Sequence, residues 1–145
     1  MARIEYYREQ LAQLGLGLED KMDVKVGSLS GGQRQAMALL MSTMTTIEFL
    51  ILDEHTAALD PKTASKVLEL SDKIIKENNL TALMVTHNMK DAIVHGNRLI
   101  MMNNGKVILD ISGEEKKKLT VDELLKKFEM VSNSKLENDR MLLSN

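Results

Sequence analysis

The sequence predicts an α/β fold in which helices flank a mostly parallel sheet. Two short apolar runs, residues 49–52 and 80–85, alternate along the chain with helical patterns. The chain's one proline, Pro61, follows an aspartate, as is common at the first turn of a helix. An Asn-Gly pair at 104–105 separates two further apolar runs and predicts a tight hairpin turn.

Composition sets the broad class of the protein. Its 145 residues are enough for one domain, and 43% hydrophobic with 28% charged residues is typical of a globular chain. The 19 basic and 21 acidic residues give a net charge of -2, so no nucleic-acid partner is predicted. The lack of cysteine excludes disulfides and thiolate metal sites. No apolar run approaches the roughly 20 residues of a membrane span, so another chain would have to cross a membrane.

The first part of the chain predicts two helices and a strand. Apolar residues recur at helical spacing over residues 4–14, which predicts an amphipathic helix, whereas residues 18–28 are polar and predict a loop. Ser30 precedes two glycines and a segment of good helix formers, residues 33–44, so we interpret it as a helix N-cap. The apolar run at 49–52 is bounded by charge and is typical of a strand buried on both faces.

The middle of the chain continues the alternation of helix and strand. Asp60 before a proline predicts an N-cap, and the helix of residues 61–77 has Ser71 on its inner face with apolar residues. Residues 80–85 predict a second strand, and residues 88–95 predict a short helix stopped by a glycine.

The last part predicts a hairpin, a helix and a tail. Residues 99–109 form the hairpin around the Asn-Gly turn. Thr120 and Glu123 have the spacing of a capping box for a helix that runs to about Met130. Residues 132–145 are polar, as is typical of a disordered tail.

A serine followed by two glycines at a helix start has the chemistry of a phosphate contact. In residues 29–33 the glycines let backbone N–H groups approach a phosphate, and the helix dipole adds partial positive charge. The alternative is a glycine-rich turn before a core helix.

Two adjacent carboxylates, Asp53 and Glu54, follow the first predicted strand. The C-terminal ends of parallel strands are where α/β sheets bind ligands. Asp53 would hold Mg²⁺, and Glu54 would orient or deprotonate a water molecule. The alternative is a strand that simply ends in solvated charge.

His87 follows the second predicted strand, where an imidazole can contact a γ-phosphate and sense its presence. The alternative is a structural histidine. The chain's 3 histidines lack the companion spacing of a zinc site.

Together these segments resemble the ATP-binding-cassette (ABC) family. Residues 29–33 look like the family's signature sequence, and residues 49–54 look like its Walker B strand with the catalytic glutamate. Residues 58–60 look like the D-loop, and His87 looks like the switch histidine. The segments occur in family order and with family-like spacing over about residues 3–111.

The resemblance implies a partial P-loop NTPase-type layered domain whose N-terminal part, with Walker A, is missing. In the family, two domains form a head-to-tail ATP sandwich, and the signature of one contacts the γ-phosphate bound by the other. It implies ATP and Mg²⁺ as cofactors, Asp53 as the metal ligand, and Glu54 and His87 as catalytic residues. The residues that it implies contact nucleotide are Leu29, Ser30, Gly31, Gly32, Gln33 and Asp60.

His55 departs from the proline that many family members have after the Walker B glutamate. The run from residue 53 to residue 63 is similar to a bacterial importer-associated subgroup. In that subgroup the ATPase is encoded beside a solute-binding protein, and aromatic amino acids are among the proposed cargo. A neutral loop substitution is the alternative interpretation.

No Gly-x-x-x-x-Gly-Lys-[Ser/Thr] loop occurs in the chain, because its Gly-Lys pair at 105–106 is followed by Val107. That loop holds the β- and γ-phosphates, so we expect the chain alone to bind ATP weakly or not at all and to hydrolyse none. We interpret residues 1–46 as the rest of a helical subdomain, residues 47–131 as part of the catalytic core and residues 132–145 as the tail. Apolar faces that the missing part would cover should be exposed.

The function predicted is that of the C-terminal part of an ABC transporter ATP-binding subunit, which couples ATP hydrolysis to solute transport. Its expected partners are a second ABC ATPase domain, separate transmembrane permease subunits and a solute-binding protein. It would work in the cytoplasm, at the inner face of the membrane. The alternatives are a non-transport ABC ATPase of repair or translation, and a non-catalytic fragment that regulates a partner. The upstream coding sequence would discriminate between them.

Overall fold

The computed structural model describes the backbone of residues 2–143 and the side chains of residues 2–134. Contacts divide the chain into two compact units, Met1–Val85 and Thr86–Asn145. Each unit has its own aliphatic core. The predicted subdomain boundary after residue 46 stays a prediction.

The first unit combines helices with a parallel pair of strands. Strands β1 and β2 pair in parallel, from Phe49 opposite Thr81 to Asp53 opposite Val85. The loop predicted at residues 18–28 contains two short 3-10 turns, Leu18–Asp20 and Val26–Ser28. The regular elements are α1 (Ala2–Ala12), α2 (Gly31–Ser42), β1 (Phe49–Asp53), α3 (Pro61–Glu77) and β2 (Thr81–Val85).

One face of β1 packs against the two longer helices. The core of this unit joins Leu39 of α2 to Leu50 and Leu52 of β1 and to Val67 and Ile74 of α3. These side chains are the apolar stripe that helical and strand periodicity predict.

The prediction that β1 is buried on both faces is wrong. Burial alternates along the strand, and Phe49 and Ile51 are 52% and 61% exposed. Neighbouring side chains point to opposite faces of a strand, and within the described residues α2 and α3 cover only one of them. Leu83 and Val85 of β2 share the exposed face with Phe49 and Ile51, as expected for a sheet that lacks a covering layer.

Local sequence signals place the helix ends. Asp60 caps α3 by accepting a hydrogen bond from the Thr63 backbone N–H at 3.1 Å, and Pro61 is the first helical residue. Hydrogen bonds from the side chain and the backbone N–H of Thr63 lower the pKa of the Asp60 carboxyl. After α3 the chain turns through Asn79, whose φ of 50° is in the left-handed region that asparagine tolerates. Both ends agree with the predicted helix.

The second unit contains an antiparallel hairpin and three helices. The turn at Asn104 and Gly105 has φ values of 49° and 73°, as the Asn-Gly hairpin signal predicts. The parallel pair in the first unit and this antiparallel pair are separate two-stranded sheets. The elements are α4 (Met89–Val94), β3 (Arg98–Asn103), β4 (Lys106–Ser112), α5 (Gly113–Lys118) and α6 (Val121–Leu143).

The last helix is longer than predicted. The capping box is confirmed, because the Glu123 N–H donates to Thr120 Oγ1 at 3.3 Å and the Thr120 N–H donates to Glu123 Oε2 at 2.9 Å. However, α6 continues to Leu143, so the polar segment predicted as a tail is helical, and residues 144–145 lie outside the described residues. Over the part of the chain that the structure describes, no helix has both the length and the apolar character of a bilayer span.

Lys116 of α5 caps the C-terminal end of α4 with its side chain. Its side chain is buried, and its Nζ donates to the carbonyls of Ile93, His95 and Gly96 at 2.5, 3.0 and 3.0 Å. A cation at this position satisfies carbonyls that the helix leaves unpaired and favours the negative end of its dipole. Burial lowers the pKa of the Lys116 ammonium.

Candidate nucleotide site

The start of α2 has the geometry of an anion-binding helix end. The Gln33 N–H donates to Ser30 Oγ at 3.1 Å, and Ser30 has the extended backbone of an N-cap. This bond uses a lone pair of Oγ, so the hydroxyl proton can still be donated to a ligand. The N–H groups of Gly31 and Gly32 lie in the first turn, where the helix dipole is positive.

The first and last residues of the signature-like segment have mainly structural contacts. Gln33 completes a capping box by accepting from the Ser30 N–H at 3.0 Å, and its Nε2 donates to the Leu16 carbonyl at 3.1 Å. The Leu29 side chain is buried, and its carbonyl accepts from Arg34 at 3.0 Å. These contacts fix the loop before α2, while the middle of the segment presents its backbone and the Ser30 hydroxyl.

The two glycines also allow α2 to approach α3 closely. A Cβ at Gly31 would lie 3.0 Å from Leu59 Cδ2, and a Cβ at Gly32 would lie 2.2 Å from Thr63 Cγ2. No side chain fits at the second distance without movement of its neighbour. The structure therefore brings the signature-like segment against the segment around Asp60, which is the predicted D-loop.

The acidic pair lies at the end of β1. Asp53 is the last residue of the strand and is exposed. Glu54 follows with a φ of 47°, and its N–H donates to the Val85 carbonyl at 2.9 Å, which extends the pairing of β1 with β2 by one bond. A left-handed backbone is rare for a glutamate, and such residues cluster at functional sites.

A groove of about 320 Å³ runs beside this acidic pair, between the strand end and α2. Its lining includes Asp53, Glu54 and His55, together with Gln35 and Ser42 of α2. None of the residues 29–33 lines it. Within the first unit, the N-terminal end of α2 and the acidic pair are thus separate features.

The turn after Glu54 is tied to α3 through His55. The imidazole Nε2 lies 3.0 Å from the hydroxyl of Ser71, which is 2% exposed and donates to the Val67 carbonyl at 2.8 Å. Helical spacing predicts Ser71 on the inner face of α3, but it does not predict its partner. A polar residue in an apolar stripe is the signal that points to such a partner.

His87 lies in the second unit, directly before the N-cap of α4. Asn88 forms that cap by accepting from the Asp91 N–H at 3.0 Å, and the Asn88 N–H donates to Thr86 Oγ1 at 3.0 Å. The His87 side chain is exposed. These two hydrogen bonds define the backbone on either side of His87 within the second unit.

The acidic pair fits a magnesium ion of the kind that is shared with a nucleotide. Mg²⁺ is usually held by one or two carboxylates together with phosphate oxygens and waters. Asp53 offers an exposed carboxylate at a strand end. Among the residues that were searched there is no cluster of three or more potential ligands, so an all-protein cage is not formed there.

Known proteins are similar to this chain over most of its length. The family model described as ABC transporter matches residues 3–57. A tyrosine transport ATP-binding protein of Clostridioides difficile is 55% identical over 119 residues, which is 82% of this chain and 47% of that protein. Over most of its length the chain is thus similar to an ABC ATP-binding protein. It spans about half the length of this ABC relative, so it corresponds to part of an ABC ATPase domain.

Other ABC proteins are also similar to this chain over part of their length. A methionine import ATP-binding protein of Bacillus cereus is 42% identical over 93 residues, 64% of this chain and 27% of the relative. A dimeric ATP-binding cassette in a post-hydrolysis state, bound to ADP and Pi, superposes with a TM-score of 0.59 at 32% identity over 72% of this chain and 44% of that one. A putative metal-chelate type ABC transporter superposes with a TM-score of 0.63 at 27% identity, over 83% and 48%. The α/β fold class is confirmed.

Proposed function

We propose that this chain is the part of an ABC importer's ATP-binding subunit that carries the signature and the Walker B carboxylates. The observation that carries the proposal is the left-handed Glu54 directly after Asp53 at a parallel strand end, in a chain 55% identical to a tyrosine transport ATP-binding protein. In this function the subunit couples ATP hydrolysis to movement of a solute through a separate permease.

The start of α2 contacts ATP that is held by a second subunit. The Ser30 hydroxyl and the N–H groups of Gly31 and Gly32 donate to the γ-phosphate, and the helix dipole favours its negative charge. The separation of residues 29–33 from the groove beside the acidic pair supports this division between two subunits. Leu29 and Gln33 hold the segment in place, and Asp60 lies where α3 begins beside it.

The acidic pair and the histidine act on the nucleotide of their own subunit. Asp53 holds Mg²⁺, which when bound neutralises charge on the phosphate oxygens. The Glu54 carboxylate orients the attacking water and accepts its proton. His87 donates to the γ-phosphate and so responds to its presence or loss.

We infer the cargo and partners from the relatives. The two amino-acid transport relatives carry tyrosine and methionine in their names, so the solute class is an amino acid. The assembly contains two ATP-binding subunits, transmembrane permease subunits and a solute-binding protein. The ATP-binding subunits lie at the cytoplasmic face of the membrane.

Replacing Glu54 by glutamine in the intact subunit tests the chemistry. We expect ATP hydrolysis to fall about 100-fold or more, because the amide cannot accept a proton, while calorimetry still detects Mg-ATP binding. Glu48→Gln changes an exposed glutamate just before β1 and should leave both properties unchanged. Hydrolysis by Glu54→Gln at the wild-type rate would overturn the role of Glu54. Micromolar Mg-ATP affinity of the 145-residue chain alone would overturn the expectation that the nucleotide-holding loop lies elsewhere.

A further inference from the structure

The hydrogen bond between His55 and Ser71 has a defined direction. A serine hydroxyl has one proton, and that of Ser71 is donated to the Val67 carbonyl at 2.8 Å. Ser71 Oγ therefore accepts from His55, whose Nε2 lies 3.0 Å away and must carry the proton. This hydrogen-bond pattern assigns the Nε2–H tautomer or the imidazolium to His55.

The acceptor of this hydrogen bond, Ser71, is buried in the interior of α3. Ser71 and Val67 are 2% and 0% exposed, and both lie within the 17-residue helix α3. His55 itself is half-buried and follows Glu54 directly. The imidazole thus connects a surface turn to the interior of a long helix, and a buried bond of this kind is costly to leave unmade.

The turn that His55 anchors holds Glu54 in its uncommon backbone conformation. The Glu54 N–H donates to the Val85 carbonyl at 2.9 Å, and the Ala57 N–H donates to the Glu54 carbonyl at 3.1 Å. Left-handed non-glycine residues persist where the surroundings fix them on several sides. Strand pairing fixes Glu54 on one side, the turn fixes it on the other, and His55 ties that turn to α3.

The geometry points to His55 as a positioning residue for Glu54. By donating Nε2–H to Ser71, His55 fixes the turn, the left-handed φ of Glu54, and with it the place of the Glu54 carboxylate. This inference rests on the proposed function of Glu54, since a misplaced general base loses rate even when its own chemistry is intact. We call the hydrogen bond from His55 to Ser71 the tether. Without the tether, Glu54 relaxes toward the extended backbone that glutamate prefers.

Two substitutions at His55 separate the tether from simple loss of the ring. The amide nitrogen of glutamine reaches the position of Nε2 and can donate to Ser71, whereas that of asparagine reaches only the position of Nδ1. In the intact subunit we expect His55→Asn and Ser71→Ala to lower kcat for ATP hydrolysis about 10-fold or more, with KM for ATP within about twofold of wild type. His55→Gln should stay within about threefold of the wild-type kcat.

Controls keep this test specific. Thr43 at the end of α2 also donates its hydroxyl to a carbonyl of that helix, that of Leu40 at 2.8 Å, and it does not line the groove beside Asp53. Thr43→Ala is therefore the matched control for Ser71→Ala and should keep the wild-type kcat. The double variant His55→Asn with Ser71→Ala should lose no more than either single variant, because both remove the same bond. If Ser71→Ala does not fold, the His55→Gln and His55→Asn pair still decides, because neither changes the buried helix residue.

A spectroscopic measurement on this chain checks the bond without any catalysis. Long-range ¹H–¹⁵N spectra of histidine-labelled protein should show His55, assigned by its loss in His55→Asn, protonated at Nε2. Ser71→Ala should shift that signal toward a tautomer mixture, and Thr43→Ala should not. A dominant Nδ1–H tautomer, or no response to Ser71→Ala, would overturn the tether.

The kinetic outcomes distinguish the two proposals. If Glu54→Gln is inactive but His55→Asn has the wild-type kcat, the positioning role of His55 is wrong and the proposed function stands. If Glu54→Gln hydrolyses ATP normally, the proposed role of Glu54 fails, and the positioning role fails with it. A lower kcat in His55→Gln equal to that of His55→Asn would show that the imidazole ring, not the N–H donor, matters, and would also overturn the inference.

Discussion

At the scale of single residues, two independent requirements favour glycine at position 32. Its N–H lies in the first turn of α2, where an approaching phosphate needs an uncrowded backbone. Its missing side chain also leaves room for Thr63 of α3, whose Cγ2 would lie 2.2 Å from a Cβ. One glycine thus suits both the proposed phosphate contact and the packing of α2 against α3.

Gly32→Ala should therefore destabilise the fold as well as impair function. We expect the free energy of unfolding to fall by about 1–3 kcal/mol, the usual cost of forcing extra volume into a packed contact. Chemical denaturation followed by circular dichroism measures it. Gly27→Ala is the matched control, because a Cβ there meets no atom within 4 Å.

A substitution at the neighbouring Thr63 tests whether the destabilisation by Gly32→Ala is steric. Thr63→Ser removes the methyl group that a Cβ at Gly32 would meet and should restore most of the stability of the Gly32→Ala variant. Equal destabilisation by Gly32→Ala and Gly27→Ala would contradict a steric origin.

Residue-level predictions from sequence succeeded where the partner is close along the chain. Ser30, Asp60 and Thr120 were assigned as caps from their spacing, and the structure shows each accepting from the N–H three residues later. The bond between His55 and Ser71 spans 16 residues and joins a turn to a helix. Its geometry depends on how β1 and α3 pack, which local spacing does not encode.

At the scale of elements, periodicity identified the helices and strands that have an apolar face. It missed α5, whose sequence GEEKKK has no apolar stripe. Acidic residues in its first turn and lysines in its last favour the helix dipole instead. The continuous apolar run of β1 suggested burial on both faces, but composition does not say whether a second layer is present.

Lys116 and Leu119 connect the short charged helix α5 to the rest of the second unit. Its ammonium reaches the last carbonyls of α4, while Leu119 directly after α5 packs with Leu99, Ile111 and Leu124. The position of α4 in the second unit, and of His87 just before it, thus depends on a cation supplied from another element.

Lys116→Met should destabilise the second unit strongly. Methionine keeps much of the side-chain volume but leaves three carbonyls without their charged donor, so we expect a loss of about 2–4 kcal/mol. Thermal or chemical unfolding measures it, with Lys117→Met as control because Lys117 is exposed and bonds only the neighbouring Glu114 in the described contacts. A loss equal to that of the control would contradict the capping role.

The same lysine predicts a pH dependence. Burial lowers the folded-state pKa of Lys116 below 10.5, so between the two pKa values the unfolded state binds more protons than the folded state. Stability therefore rises with pH in the window just below 10.5, and it is lower below the folded-state pKa. Lys116→Met should lack this contribution, which unfolding curves at several alkaline pH values would reveal.

At the scale of the whole molecule, one apolar face of the parallel strand pair is exposed, as expected for part of a layered domain. Phe49, Ile51, Leu83 and Val85 share one face of the parallel pair and are 52%, 61%, 46% and 42% exposed. Exposed apolar patches on a sheet favour association with other polypeptides. Because side chains alternate between the two faces of β1, Leu50 and Leu52 are buried against α2 and α3 while the opposite face remains an exposed apolar surface.

Self-association of this 145-residue chain should therefore depend on that face. Ile51 and Leu83 are directly opposite each other in the parallel register, so Ile51→Lys with Leu83→Glu places an opposite-charge pair in the middle of the patch. Light scattering should show the wild-type chain associating as its concentration rises and the double variant remaining monomeric. Because both side chains are largely exposed, the free energy of unfolding should change by less than about 1 kcal/mol.

Val94→Lys provides the control for this experiment, since Val94 is 65% exposed but lies on α4 of the second unit. If Val94→Lys abolished association as completely as the double variant, the association would not depend on the sheet face. A wild-type chain that stays monomeric at high concentration would contradict the prediction altogether. The expected difference between the two variants would instead locate the association at the uncovered side of β1 and β2, where a further layer of an ABC ATPase domain would pack.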